Sequence, residues 1–463
     1  MHLLGSILLT VRSLSAGVWV IGALLILSGV LLLANPDRGD RGDLQMWVFS
    51  PEHQKMYKPM IEEANAEYPE RSVDLTLMSI AAIKSRMMSG FFGGLPTADL
   101  IEVERATVGQ AFLGPVEAIG FRDLTDRLED EGLLDGLNPP SLSPWSVDGR
   151  VFGLPHDVHP VMLAYRADLT EAAGIDLTQA TTWDRFFELL EPMMDDDGDG
   201  RVDRYPLSFW YTQEDNVEVL LLQGGGQLFD SRGVPTINDP KNAELLSKMV
   251  SWTVGPQRKT IDIEEFSAAG HQARIDGDAV AYLTPDWMCS IWRMHVPKIG
   301  GKMKLMPLPA FEPGGRRTSV RGGTMLGFPK ASEHFEEAWE TAKLLYTSPE
   351  IARELYRMVD IITPVRALWD DPIYDEPDPF FMGQPKGRMY IELATEIPLR
   401  TSSPYNQNAR FAVRDAAMNL AAYAQSNSVY DAEGLEAEAT RLLQRAHENV
   451  VRQMSRNAFA RTE

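Results

Sequence analysis

One cysteine, Cys289, in 463 residues leaves no intrachain disulfide framework and no zinc site built on several thiolates. Positive charge is also scarce: 44 Lys and Arg stand against 66 Asp and Glu, a net charge of −22. No basic stripe suited to a phosphate backbone is present, which excludes nucleic acid as a partner. Nor is there a polybasic patch for anionic lipid. The chain has no Ser/Cys/His nucleophile motif, no phosphate loop and no HExxH zinc motif. Internal repeats and low-complexity runs are absent too. Paired carboxylates remain abundant in so acidic a chain, so composition leaves glycan hydrolysis open. What is there is a packed globular protein, 44% hydrophobic and 24% charged. Its length exceeds one core and suits two large α/β lobes with a short appendage.

The one long apolar run is Leu14 to Ala34, 21 residues without a charge. As a helix it would reach about 30 Å, enough for a bilayer core. Arg12 precedes it, and a near-neutral mix of Asp and Arg follows from Asp37 to Asp43. The positive-inside rule then places the remainder outside the cytoplasm. The reading is a single-pass anchor in the cell membrane over residues 1–43, linker included, with the main domain periplasmic or extracellular. A cleaved signal peptide is the alternative, although its apolar region is usually about 7–15 residues.

Beyond the linker, Leu44–Phe49 reads as a buried strand, about 52–68 as a helix and Val73–Leu77 as an alternating strand. A helix over about 81–89 follows, then a Gly-rich turn over 90–94 and a strand over 99–103. Strand–helix–strand–helix–strand is the order of an α/β layer with parallel pairing. Later signals include a helix opened by Thr182 as N-cap and a strand over 279–283. Ser348-Pro349 is an N-cap and N1 pair, and two C-terminal helices run over about 409–425 and 433–454.

Several blocks in order resemble the family 1 extracellular solute-binding proteins of ABC importers, the group typified by maltose-binding protein. Leu154-Pro155 is followed by Leu163-Ala164-Tyr165-Arg166-Ala167-Asp168-Leu169, Ala172-Ala173-Gly174-Ile175 and Thr182-Trp183. Gly277-Asp278-Ala279-Val280-Ala281 leads to Trp287, departing from the family pattern at Val280, Ala281 and Pro285. Met306-Pro307-Leu308-Pro309, Arg321-Gly322-Gly323-Thr324 and Ala338-Trp339 complete the set. The resemblance spans roughly 44–450. It implies two α/β lobes around an interlobe cleft with a hinge, preceded here by the N-terminal transmembrane helix. Lobe one would be 44–157 plus 312–362 and lobe two 158–311 plus 363–455, with 456–463 a tail. It also implies a carbohydrate-type ligand, ABC permease subunits as partners and no enzymatic activity. A membrane-tethered ligand sensor and an exported glycan hydrolase are the rival readings.

Candidate ligand residues follow from chemistry and from this resemblance. A sugar ring packs its C–H face on an aromatic ring, while its hydroxyls need polar partners. Trp47, Trp210, Tyr211, Trp287 and Trp292 are the aromatic candidates; Trp287 resembles the family's cleft tryptophan. Glu104 and Arg105 follow a strand end, where parallel sheets place ligand contacts. Val103 stands where maltose-binding protein has a tryptophan. His159, in the segment His156-Asp157-Val158-His159, falls where the family has a polar ligand contact, and the same segment also suits a metal or structural hydrogen bonds. Arg321, Gly322 and Gly323 would approach the ligand through backbone that only glycine permits.

The sharpest local motif is DDDGDGRVD over 195–203. Asp195, Asp197 and Asp199 take positions 1, 3 and 5 of a calcium loop, Arg201 offers its carbonyl at 7 and Asp203 stands at 9. Position 12 is Pro206 rather than the bidentate Glu. A structural calcium and a solvated acidic turn are both readings of this motif; no cofactor is required by either.

Overall fold

The computed structural model describes residues 20–23, 27, 44–195, 198 and 201–457. Most of the 14–34 run therefore lies outside the described residues. Among the described residues no helix is long and apolar enough to cross a membrane.

Two sheets form the frame. The first is five-stranded, in the order Val73–Leu77, Leu44–Val48, Leu100–Glu104, Thr324–Gly327 and Leu154–Pro155. Its first three strands run parallel; Thr324–Gly327 is antiparallel to both of its neighbours. The second is six-stranded. Its path is Met303–Pro307, Pro160–Arg166, Ala279–Pro285, Tyr205–Ser208 and Thr260–Ile261, and Ser319–Val320 pairs beside Pro160–Arg166. A small hairpin, Ser146–Val147 with Arg150–Val151, lies apart.

The inner strands are covered on both faces and read as apolar runs, whereas the edge strand Val73–Leu77 alternates and is only partly buried. In Pro160–Arg166, Val161, Leu163 and Tyr165 join one core cluster, while Met162 and Ala164 join another. In Leu44–Val48, Leu44, Met46 and Val48 face the cluster that holds Trp339, and Trp47 faces the opposite one. Helices Phe335–Thr347 and Pro349–Val359 cover the first sheet. The second sheet is covered on one side by the long helices Asn406–Asn427 and Ala432–Ser455. The result is a mixed α/β fold of two lobes, and the chain crosses between them near 156–160, 320–324 and 360–363.

One expectation fails instructively. The Gly-rich turn over 90–94 is the last turn of a helix running from Ile80 to Gly93. Gly90 lies within the helix, and the close approach of Thr97 requires glycine there, since a Cβ would lie 2.0 Å from Thr97 Cγ2. The helix stops only at Gly94, whose φ of 66° supplies the left-handed cap. The strand after it is Leu100–Glu104, one residue later than expected. Glu104 is thus the final strand residue, and its carboxylate caps the short helix Arg105–Val108 by accepting from Ala106 N at 2.8 Å.

Candidate functional site

A cleft of about 520 Å³ opens between the two lobes. From the first lobe, Phe49, Ser50, His53 and Glu104 line it, with Met358 and Ile361 nearby; from the second come Gln213, Asp215, Phe266 and Trp287. His159 and the Arg321-Gly322-Gly323 turn, at the crossings, form its floor.

The aromatic wall is built locally. Pro285 ends a buried strand, and Asp286–His295 is the helix that follows, so Trp287 sits in its first turn. Trp287 is partly buried and packs against core clusters of both lobes. Its indole N–H donates to Arg321 O at 3.1 Å. Phe266 stacks beside it, ring centres 6.2 Å apart and planes 23° apart, and is 43% exposed. The Arg321 guanidinium lies 5.7 Å from the Trp287 ring centre and pairs with buried Glu265 at 2.8 Å.

Beneath this wall the crossing segments are tied by charge. His159 Nε2 lies 3.0 Å from Asp157 Oδ2 and its Nδ1 lies 2.7 Å from Asp286 Oδ1. Burial alone would lower the His159 pKa, but the two carboxylates override it and push it up to about 10. The imidazolium therefore donates from both nitrogens at neutral pH. Asp157 is held well below the usual carboxylate range, because His159 and His156 outweigh its burial. Asp157 also accepts from Thr324 N at 3.0 Å, and Asp286 accepts from Ile362 N at 3.0 Å and Trp287 N at 2.8 Å. One imidazole thus staples all three crossings. His159 does this with φ at 58°, an uncommon backbone state for a non-glycine residue.

The glycines meet the same corner. Gly322 has φ at 99°, and a Cβ on it would lie 2.9 Å from His159 Cδ2 and 3.3 Å from Trp287 Nε1. Arg400 donates to Gly322 O, and Arg105 N donates to Gly323 O. Glu104, half-buried at the cleft edge, has its pKa raised by burial, against the pull of Arg410 and Arg105.

The remaining sequence candidates lie elsewhere. Trp47 is 7% exposed in the first-lobe core, with the Arg86 guanidinium 5.7 Å from its ring centre. Trp292 is fully buried. Trp210 and Tyr211 follow strand Tyr205–Ser208 and do not line the cleft; Trp210 touches its edge through Phe266, 6.5 Å away. Arg105 turns away from the cleft. It forms a buried fork with Glu218 of helix Glu214–Gln223, both nitrogens 2.8 Å from the two oxygens. This fork crosses from one lobe to the other, and Arg410 joins it, 3.0 Å from Glu218. In the acidic motif, Asp197 and Asp199 lie outside the described residues. Asp195 Oδ1 accepts from Gly198 N at 2.8 Å.

Sequence reasoning missed Phe49, His53, Gln213, Asp215 and Phe266 as cleft residues, and Asp286 as the hub of the crossings. Phe266 carried one usable signal, an aromatic residue in the polar run Ile263-Glu264-Glu265-Phe266-Ser267.

The family model described as bacterial extracellular solute-binding protein matches residues 51–351. The arabinooligosaccharide-binding protein of Halalkalibacterium halodurans is 22% identical over 378 residues, covering 78% of this chain and 81% of that protein. The lactose-binding protein of Rhizobium radiobacter is 23% identical over 368 residues, 77% of this chain and 83% of that protein. Among solved structures, the sugar-binding protein MalE of Xanthomonas citri superposes with a TM-score of 0.74 at 16% identity, over 91% of this chain and 100% of that one.

Proposed function

The chain belongs to the bacterial extracellular solute-binding protein family, and on that premise we propose that it captures an oligosaccharide between its lobes and delivers it to an ABC importer. The observation that carries the ligand class is the aromatic platform. Trp287 and Phe266 present a flat, partly open apolar wall to a cleft that also carries Glu104, Asp215, Gln213, His53 and the Gly322-Gly323 backbone, beside the apolar Phe49, Met358 and Ile361. An apolar stack with convergent polar groups is what a sugar ring with a hydroxyl rim requires. The cleft volume of about 520 Å³ falls in the usual range of about 300–1,000 Å³ for small-ligand sites. The names of the two curated relatives, an arabinooligosaccharide-binding and a lactose-binding protein, support the same class.

In this reading the ligand stacks on Trp287, and Glu104, Gln213 and the Gly322-Gly323 backbone meet its hydroxyls. The lobes close about the three crossings held by His159. No covalent step is involved. The main domain works outside the cytoplasm, as the family description states for its members. Tethering through residues 14–34 rests on their uncharged length alone.

A thermal-shift screen with arabino-, galacto- and gluco-oligosaccharides tests the ligand class, because a ligand of the folded state raises its stability by mass action. One or more of these should raise the melting temperature at submillimolar concentration without being hydrolysed. No shift from any saccharide, with a clear shift from peptides, polyols or amino acids, would contradict it; turnover of the sugar would favour a hydrolase.

A further inference from the structure

Among the described residues, His53, Glu102 and His156 each offer a metal-ligating atom within 4.8 Å of the other two, and all three side chains are buried. They come from one lobe, so the cluster does not depend on how the lobes are set. His53 lies in the first turn of helix Pro51–Glu67, whose N-cap Ser50 accepts from its backbone N–H. Glu102 is central in strand Leu100–Glu104. His156 follows strand Leu154–Pro155, its N–H bonded to Thr324 O at 3.0 Å. The two imidazole centres are 4.4 Å apart.

Glu102 is firmly aimed. Tyr57 and Tyr346 hydroxyls both donate to its Oε1 at 2.8 Å, which leaves Oε2 facing His53 Nδ1 at 3.0 Å. His156 is the unexplained member. It is 3% exposed, and neither ring nitrogen has a hydrogen-bond partner. The nearest carboxylate atom, Asp157 Oδ2, is 3.5 Å from its Nδ1 and already accepts from His159 and Thr324. A buried polar group left unpaired costs about 1–3 kcal/mol, and such groups in native structures call for an explanation, an ion among them.

We propose that His53, Glu102 and His156 bind one transition-metal dication, with zinc the best match. Two imidazoles and one carboxylate are a familiar zinc donor set, whereas calcium and magnesium take oxygen ligands. The tyrosines on Glu102 supply the outer hydrogen bonds that orient a ligating carboxylate. Glu102, with the net single negative charge of the adjoining Asp157–His159–Asp286 group, balances a charge of two. Tetrahedral coordination at ordinary zinc bond lengths needs donors about 3.3 Å apart, within reach of small side-chain rotations. His53 also lines the cleft, so the cluster borders it on that side.

The test uses the full chain stripped with EDTA and needs no sugar, so it succeeds or fails separately from the proposed ligand class. Zinc chloride is titrated against a chromogenic chelator, and cobalt(II) is added as a spectroscopic probe. One zinc per chain at submicromolar affinity and the intense visible bands of four-coordinate cobalt are expected. His53→Gln and His156→Gln should each weaken zinc binding by 100-fold or more. His295→Gln removes half of the stacked His271–His295 pair, a more open rival for the ion on the cleft wall, and should change neither zinc affinity nor the cobalt bands. The proposal is overturned by absence of zinc binding in the wild type, by weak six-coordinate cobalt bands, by full affinity in both buried-histidine variants, or by loss of the bands in His295→Gln. Should a buried-histidine variant fail to fold, the wild-type and His295→Gln spectra still decide.

Discussion

Replacing Glu218 by Gln keeps the side chain's shape and removes the charge that holds the two lobes' buried guanidinium groups. Arg105 is 7% and Glu218 8% exposed, and both forked contacts are 2.8 Å long. Burial alone would lower the Arg105 pKa; Glu218 more than offsets this and raises it. Arg410 also depends on Glu218 but keeps its contact with Asp215. The substitution therefore strands chiefly one buried cation, and breaking a buried pair from one side costs about 3–5 kcal/mol. That is a large part of a typical stability of about 5–15 kcal/mol. Urea unfolding followed by circular dichroism should show a markedly lower midpoint. The double variant Arg105→Met/Glu218→Met removes both charges and should be more stable than Glu218→Met alone, and with Arg105→Met as the other arm the double-mutant cycle should give a coupling energy well above about 0.5 kcal/mol. A Glu218→Gln protein within about 1 kcal/mol of wild type would show instead that water or other carboxylates already satisfy Arg105.

His159 adds a pH signature: its pKa is raised to about 10 in the fold from about 6.5 when unfolded, so its contribution is full below about 6.5 and is lost as pH rises towards 10. Unfolding curves at pH 6.5, 8 and 9.5 should show His159→Gln losing less with rising pH than wild type; parallel declines would count against the staple. Gly322→Ala places a Cβ 2.9 Å from the His159 ring at φ 99°, and should cost about 1–3 kcal/mol of stability and weaken ligand binding. Unchanged melting and unchanged affinity would show that the corner yields freely. Trp47→Ala, in the core, should cost about 3–5 kcal/mol yet leave ligand affinity of the folded fraction unchanged; a selective affinity loss would place Trp47 in the ligand path.

Local chemistry was legible in the sequence where it was decided locally. Ser348 and Pro349 open a helix in the structure as their positions indicate, with Ser348 Oγ accepting from Ile351 N at 3.3 Å. Apolar runs marked the inner strands, which are covered on both faces, and alternation marked the edge strand Val73–Leu77. Trp287 was indicated by the resemblance of the Gly277-to-Trp287 block to the family's pattern, and it lines the cleft. The glycines at 90 and 93 were not, since the helix runs on through both to its left-handed cap at Gly94, and glycine is required at 90 by the approach of Thr97 rather than by a turn. Arg105 shares its strand end with Glu104, but its partner lies 113 residues away, so nothing local indicated that one turns to the cleft and the other into an ion pair. His53 and Phe266 belong to the cleft only because two distant segments meet there.

The proposed function requires a saccharide held against Trp287 between the lobes. Isothermal titration of the best saccharide from the screen into wild type and Trp287→Ala, with both proteins' unfolding midpoints measured alongside, tests it most directly. Trp287 is only partly buried, so its loss should lower stability less than the about 3–5 kcal/mol of a core tryptophan. The account predicts one site per chain in the wild type and at least a tenfold weaker site in a folded Trp287→Ala protein. Equal affinity in the two proteins would contradict it.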